Sequence, residues 1–367
     1  MKIAYGVMGY GRGHAMRTLS VLPELAREHD VTVFAGGDAY QVIAPLFPTV
    51  NIPTIGYRYN GRGGHSFWKT VNENFGSMND LLFRGAGMQQ VELEFAVRGI
   101  ELVISDSEAW THRAAQKLRL PRISFDHVGI IAWCKPHFPP ELYLHGWRDA
   151  WGYRTLMGQP ERILISSFYP AEPLHPNTHI VGPMLREEVL RAQPGDGDDL
   201  LCYFNKGEHQ YLPHVDHALR ELDRPVVIYG TPYRGQAENL DFRAPSNDGF
   251  VRDLARCRAL LSTAGNQTIG EAIHLGKPIL AVPEDAFEQK LNAHIIERMG
   301  VGMRGDLLRL TPSDIDRFLG NYAWYRSNMQ GRATDGRAEA LATLRRFIDE
   351  LGTPQRQIGP QIIAAQA

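Results

Sequence analysis

The sequence predicts an α/β protein with two doubly wound parallel sheets, one per domain, facing each other across a cleft. Three observations carry this. Short apolar runs alternate with helical patterns, the signature of β-α-β crossovers and a parallel sheet. The alternation halts at a stretch rich in Gly, Pro and acidic residues, then starts again. The length of 367 residues suits two domains, each able to bury its own core.

In chain order, "KIAYGV" (2–7) is the first buried strand, followed by a helix with Leu19, Leu22, Leu25 and Ala26 at helical spacing. "VTVFAG" (31–36) is the next strand. "ELVISD" (101–106) leads into the helical "EAWTHRAAQKL", and "PRISFD" (121–126) follows. Residues 57–80 break the rhythm with Gly, Asn and aromatics, which predicts a long loop or an extra helix over the sheet edge. The linker lies in "HIVGPMLREEVLRAQPGDGDD" (179–199). The second unit then runs through "LLCYF" (200–204), "PVVIYG" (225–230), "ALLSTAG" (259–265) and "PILAVP" (278–283). The expected division is 1–185, a linker at 186–199, 200–352, and a weakly ordered tail at 353–367.

Composition narrows the function. The chain is 43% hydrophobic and 22% charged, ordinary for a globular protein, and its net charge of −2 gives no field that favours nucleic acid. Cys134, Cys202 and Cys257 are far apart in sequence, which fits neither a disulfide framework nor a zinc site and suits a reducing cytosol. No apolar run approaches the roughly 18 residues of a membrane span. The N-terminal apolar run breaks at glycines and does not read as a signal peptide. A cytoplasmic location is expected.

The loop "MGYGRGHAMR" (8–17) joins the first strand to its helix. Gly9 and Gly11 supply the start of a dinucleotide-binding fingerprint, but His14 stands where the third small residue belongs. Asp38, the candidate acidic residue of that fingerprint, falls beyond a Gly-Gly. The better reading is a glycine loop, including Gly11 and Gly13, that lets backbone approach a ligand and aims His14 out of the sheet's carboxyl edge as a general base. Asp106 ends a strand at the same edge and can orient that histidine. The bland readings are that His14 packs the helix start and that Asp106 caps the next helix.

The segment "LLSTAGNQTIGEAIHLGKPILAVPEDAFEQKLNAHIIERMGVG" (260–302) carries most information. A strand enters a small-residue turn and then a helix, whose free N–H groups make a ready phosphate site. Glu271 falls one to two turns into that helix. Gly265, Gln267, Thr268, Glu271, Gly276, Pro278, Pro283, Glu288, Gln289, Asn292 and Ala293 form an ordered set.

That set resembles the nucleotide-sugar-dependent glycosyltransferases of the GT-B fold, two Rossmann-like domains facing a cleft. It is similar both to plant-type UDP-glycosyltransferases and to the GlcNAc transferase of peptidoglycan synthesis. The resemblance spans the chain but is strong only in the C-terminal half. It implies an acceptor-binding first domain and a donor-binding second one. Thr263, Gln267 and Thr268, with the backbone around Gly265 and Asn266, would hold the diphosphate. Glu271 would bind the ribose, Glu288 and Gln289 the transferred sugar, and Phe250 and Val251 the uracil. His14 would be the general base and Asp106 its partner. The donor would be a UDP-sugar, with no cofactor and no metal. Three positions depart from the family pattern: Thr263 stands in place of a histidine, Glu288 in place of an aspartate, and "YFNKGE" (203–208) is an unusual loop in which Lys206 either adds a phosphate contact or is simply solvated.

The pairs Asp196/Asp198 and Asp314/Asp316 read as D-x-D, the metal motif of another transferase fold, but are better explained as linker charge and helix capping. The acceptor is the open question. Tyr57, Tyr59, Phe67, Trp68 and Phe75, with Trp133, Phe138, Tyr143, Trp147 and Trp151, can line an apolar pocket or simply pack. Arg58, Arg62, Lys69 and Arg84 are interleaved with the first group. A small molecule or a lipid-linked acceptor at a membrane surface both fit. The rival reading is a nucleotide-sugar hydrolase of the same fold, whose Gly-x-Gly-His-x-x-Arg loop "GRGHAMR" resembles and whose histidine activates water. A 2-epimerase lacks its Gly-Gly-x-x-Glu-Glu pattern here, and a non-catalytic sensor would not need His14 and Asp106.

Overall fold

The computed structural model describes residues 1–56, 67–329 and 335–352. The first sheet has seven strands: β1 (Lys2–Val7), β2 (Asp30–Ala35), β3 (Thr49–Asn51), β4 (Leu102–Asp106), β5 (Arg122–Asp126), β6 (Arg162–Ser166) and β7 (Thr178–Val181). All are parallel, in the order β3-β2-β1-β4-β5-β6-β7. The order reverses direction between β1 and β4, and register pairs Val7 with both Ala35 and Asp106 there. A doubly wound sheet opens its ligand crevice at that reversal.

The second sheet repeats the plan with β8 (Leu200–Tyr203), β9 (Val226–Tyr229), β10 (Gly235–Ala237), β11 (Leu240–Arg243), β12 (Ala259–Ser262), β13 (Ile279–Ala281) and β14 (Gly302–Arg304). Its order is β10-β11-β9-β8-β12-β13-β14, with β10 antiparallel to β11 and the rest parallel. The reversal falls between β8 and β12, where Tyr203 pairs with Ser262. The two crevices face one another, and the helix after β1 touches the helix after β12.

Each sheet is buried on both faces, as parallel sheets require. In the first, Ile3, Tyr5 and Val7 pack under Ala15, Leu22 and Leu25, while Ala4 and Val103 pack under Val91, Phe95 and Trp110. Four expectations are adjusted. The single helix through Leu19 and Leu25 is two, Gly13–Leu19 and Leu22–Glu28, because Pro23 lies in the first turn of the second. The expected linker holds a helix, Glu187–Arg191. Of residues 57–80, those described form part of the helix Phe67–Phe83, and Tyr57, Arg58, Tyr59 and Arg62 lie outside the described residues, as does the tail from 353. Most notably, the last helix, Arg337–Gly352, expected with the second unit, lies on the first sheet. Its Ala340, Leu344, Phe347 and Ile348 bury against that sheet's helices and strands, and Arg345 pairs with Glu28. An amphipathic helix goes where its apolar stripe finds cover, and the first sheet still had an open face.

Candidate active site

The loop after β1 is shaped by what surrounds it. A Cβ on Gly9 would lie 2.0 Å from Thr54 Oγ1 and 2.6 Å from the Gly36 carbonyl, so only glycine fits. Gly11 has φ +81°, the left-handed region, and its N–H donates to Asp38 Oδ2 at 3.0 Å. Asp38, which looked like a failed dinucleotide acid, therefore pins the loop. A Cβ on Gly13 would meet nothing within 4 Å among the described residues, so they do not demand its small size.

The helix Gly13–Leu19 then places His14 beside Asp106, with Nδ1 2.7 Å from Asp106 Oδ1. A carboxylate only accepts, so Nδ1–H donates and Nε2 carries the lone pair. The helix also delivers a residue that the sequence reading left without a role. Arg17, one turn on, donates from Nε to Asp106 Oδ2 at 2.8 Å and from Nη2 to Oδ1 at 2.6 Å. Asp106 is fully buried and Arg17 nearly so, whereas the His14 side chain is 20% exposed. Burial alone pushes the Asp106 carboxyl up. The Arg17 guanidinium and then His14 outweigh it and hold the carboxyl below its usual range. Asp106 therefore stays ionised behind the histidine, and the N-cap role falls to its neighbour Glu108. The signal for Arg17 was its three-residue spacing from His14 on one helix face.

Across the cleft, the helix Asn266–His274 starts at Gly265 with no side-chain cap. Its first N–H groups have no intrahelical partner by geometry. Ala264, just before, has φ +65°, a strained conformation for a residue with a Cβ. Asn266 is buried, yet neither its Oδ1 nor its Nδ2 has a partner among the described residues. Buried amide groups are normally satisfied, so this turn is built for something that brings its own polar atoms. Thr263 is buried in the same turn and Thr268 half-buried in the helix.

The remaining candidates divide. Gln267 donates to Glu271 and to the Met184 carbonyl, and Glu271 is engaged by Arg186. Glu288 Oε1 faces the first domain, 3.7 Å from His127 Nε2. Gln289 turns back to the main-chain N–H and carboxylate of Glu284, so its side chain braces the loop. Phe250 and Val251 are buried, the Phe250 ring between Tyr203 and Tyr229. Lys206 reaches across the cleft to Asp38 at 3.4 Å and sits over the Tyr10 ring.

His127, at the carboxyl end of β5, is a second residue the sequence reading missed. Its Nδ1–H donates to the Ser166 carbonyl at 2.8 Å. Burial lowers its pKa, so it is neutral and Nε2 carries a lone pair. That lone pair faces two acceptors, Glu288 Oε1 and Asn292 Oδ1, the latter at 3.4 Å. Asn292 Nδ2 also donates to Glu288 Oε1 at 3.3 Å, so the three polar side chains meet across the domain boundary. The D-x-D carboxylates are elsewhere, and three of the four are paired: Asp196 with Arg326, Asp198 with Arg224 and Asp314 with Arg317.

Solved structures share this architecture. CalG4, the calicheamicin glycosyltransferase, superposes with a TM-score of 0.64 at 17% identity, over 95% of this chain and 98% of its own. A UDP-glucosyltransferase from Polygonum tinctorium gives 0.66 at 14% identity, over 95% and 98%. The spinosyn rhamnosyltransferase SpnG, solved with thymidine diphosphate, gives 0.65 at 15% identity, over 95% and 100%. The fold is therefore that of the GT-B glycosyltransferases, as the sequence pattern implied. The chain belongs to glycosyl transferase family 1, whose family model matches residues 1–322, and it is a glycosyltransferase. No curated protein matches it by sequence.

Proposed function

We propose that this enzyme is an inverting transferase that moves a sugar from a nucleoside diphosphate sugar, with UDP as the nucleotide, to an acceptor hydroxyl. The observation that carries the reading is the His14–Asp106 pair, 2.7 Å apart and backed by Arg17, set opposite an uncapped helix start. His14 Nε2 takes the acceptor's proton. The freed oxygen attacks the anomeric carbon from the side opposite the donor diphosphate. The carbon–oxygen bond to the diphosphate breaks, and its electron pair leaves on the β-phosphate oxygen. The N–H groups of residues 265–268 and the helix dipole meet that charge. Asp106 stabilises the imidazolium, and Glu288, Asn292 and His127 take the sugar hydroxyls. That SpnG was solved with thymidine diphosphate supports a nucleoside diphosphate in the equivalent cleft.

The acceptor side is built by the first domain. The helix Tyr143–Met157 presents Tyr143, Leu144, Trp147 and Trp151 at helical spacing, all more than half exposed. Such a stripe favours an apolar or lipid-linked acceptor, and no described helix is long and apolar enough to cross a membrane. The test against hydrolysis measures UDP-sugar consumption with and without a cell extract as acceptor source, followed by mass spectrometry. Slow consumption alone, fast consumption with extract, and sugar on an extract component support the transferase. Fast consumption in buffer alone, with free sugar as product, identifies a hydrolase.

A further inference from the structure

The carboxylate assigned to the ribose is already nearly full. Arg186 Nε donates to Glu271 Oε1 at 2.7 Å and Arg186 Nη2 to Oε2 at 2.6 Å. Gln267 Nε2 adds a third bond, to Oε1 at 2.8 Å, and its other acceptor, the Met184 carbonyl at 2.7 Å, fixes which way the amide points. Glu271 is 1% exposed. A carboxylate accepts about four hydrogen bonds, two per oxygen. Oε1 has both positions filled, and Oε2 has one left.

This arrangement is built into the backbone. Arg186 belongs to the segment that leaves the first domain, and that segment lies directly on the donor helix. A Cβ on Gly270 would come within 2.6 Å of Pro183 Cβ, so glycine at 270 is what lets the crossing occur. The guanidinium is further held over the Phe250 ring, 5.9 Å from its centroid. Ion pairing and the neighbouring ring both keep Arg186 in place, although its burial opposes the charge.

From this we infer that Arg186 makes the donor site indifferent to the nucleotide's 2′-hydroxyl, so that ribo- and 2′-deoxyribonucleoside diphosphate sugars are both accepted. A ribose diol offers two O–H donors, and a free carboxylate would take one on each oxygen. With Arg186 seated, Glu271 has a single position for one hydroxyl, which the 3′-hydroxyl of a deoxyribose fills equally well. The proposal rests on the donor-site assignment above and narrows its substrate class.

Calorimetry of the full chain with UDP and dUDP, which differ only at the 2′ position, tests it. The expected dissociation constants agree within about threefold, with dTDP close to dUDP. Weakening of dUDP by tenfold or more relative to UDP overturns the proposal while leaving the donor site standing. Binding of neither nucleotide overturns the donor-site reading itself. As a second arm, Arg186→Leu opens an accepting position on each Glu271 oxygen, the Gln267 bond to Oε1 remaining, and UDP should then gain on dUDP by about tenfold. An unchanged ratio in a folded variant shows that Arg186 is not the cause. The wild-type comparison decides the point even if the variant does not fold.

Discussion

Removing the guanidinium of Arg17 separates the two tasks of the Asp106 carboxylate. Arg17→Met keeps the length of the side chain and deletes the charge. Asp106 is fully buried, and Arg17 supplies two of its hydrogen bonds, at 2.8 and 2.6 Å. What remains is the bond to His14. Breaking one partner from a buried ion pair costs about 3–5 kcal/mol, because the other charge is left in low dielectric. At about 2–4 °C per kcal/mol for a domain of this size, the unfolding midpoint should fall by roughly 6–20 °C. The carboxyl should also lose the influence that holds its pKa down, and burial should push it up. A protonated Asp106 no longer stabilises the imidazolium, so turnover should fall while UDP affinity holds, since Arg17 touches the first domain only. Differential scanning calorimetry from pH 5 to 8, with donor-consumption kinetics alongside, reads both effects. A midpoint within 2 °C of wild type and unchanged turnover would refute the claim that Arg17 sustains the ionised Asp106.

Other predictions follow from the same geometry. Glu108 caps the helix Ala109–Leu118 from a fully buried site, and burial raises its pKa from 4.5 to about 7. Its raised value means that its contribution to stability is complete below about pH 4.5 and is lost as pH rises through about 7, so Glu108→Gln should flatten the fall in unfolding midpoint across that window; an unaltered pH profile would contradict it. Because arginines pair with Asp196, Asp198 and Asp314, so that neither D-x-D pair is free, donor consumption should survive EDTA, and a loss restored by Mg²⁺ or Mn²⁺ would show that a metal site was overlooked. Trp147→Ser with Trp151→Ser should reduce sedimentation with anionic phospholipid vesicles without lowering UDP affinity; equal sedimentation would remove that stripe as a lipid surface.

The sequence made the site's separate halves visible, and the contacts that join them were beyond it. Strands such as β1 and β12 announced themselves as unbroken apolar runs, because a strand buried on both faces has no polar alternation to blur it. The edge strands β3, β10 and β14 have three residues each, too few to show any period, and no strand was read there. Asp106 and His14 could be paired from the sequence because both end at the carboxyl edge of adjacent strands. Arg186 and Glu271 are 85 residues apart, and only the path of the linker over Gly270 brings them together. His127 was hidden for the same reason, since its meaning depends on Glu288 and Asn292 in the other domain. The last helix has an apolar stripe that the sequence shows plainly, but a stripe does not say which of two sheets it will cover.

The most direct test of the account is turnover of His14→Ala, measured with a suitable acceptor beside calorimetric UDP affinity. General-base help is worth about 10²–10⁴-fold. His14 lies on the first domain and the proposed diphosphate site on the second, so the account predicts a fall in kcat of that size with UDP affinity and unfolding midpoint near wild type. A kcat within about threefold of wild type, or a variant that loses UDP binding and fold together, would contradict His14 as the base.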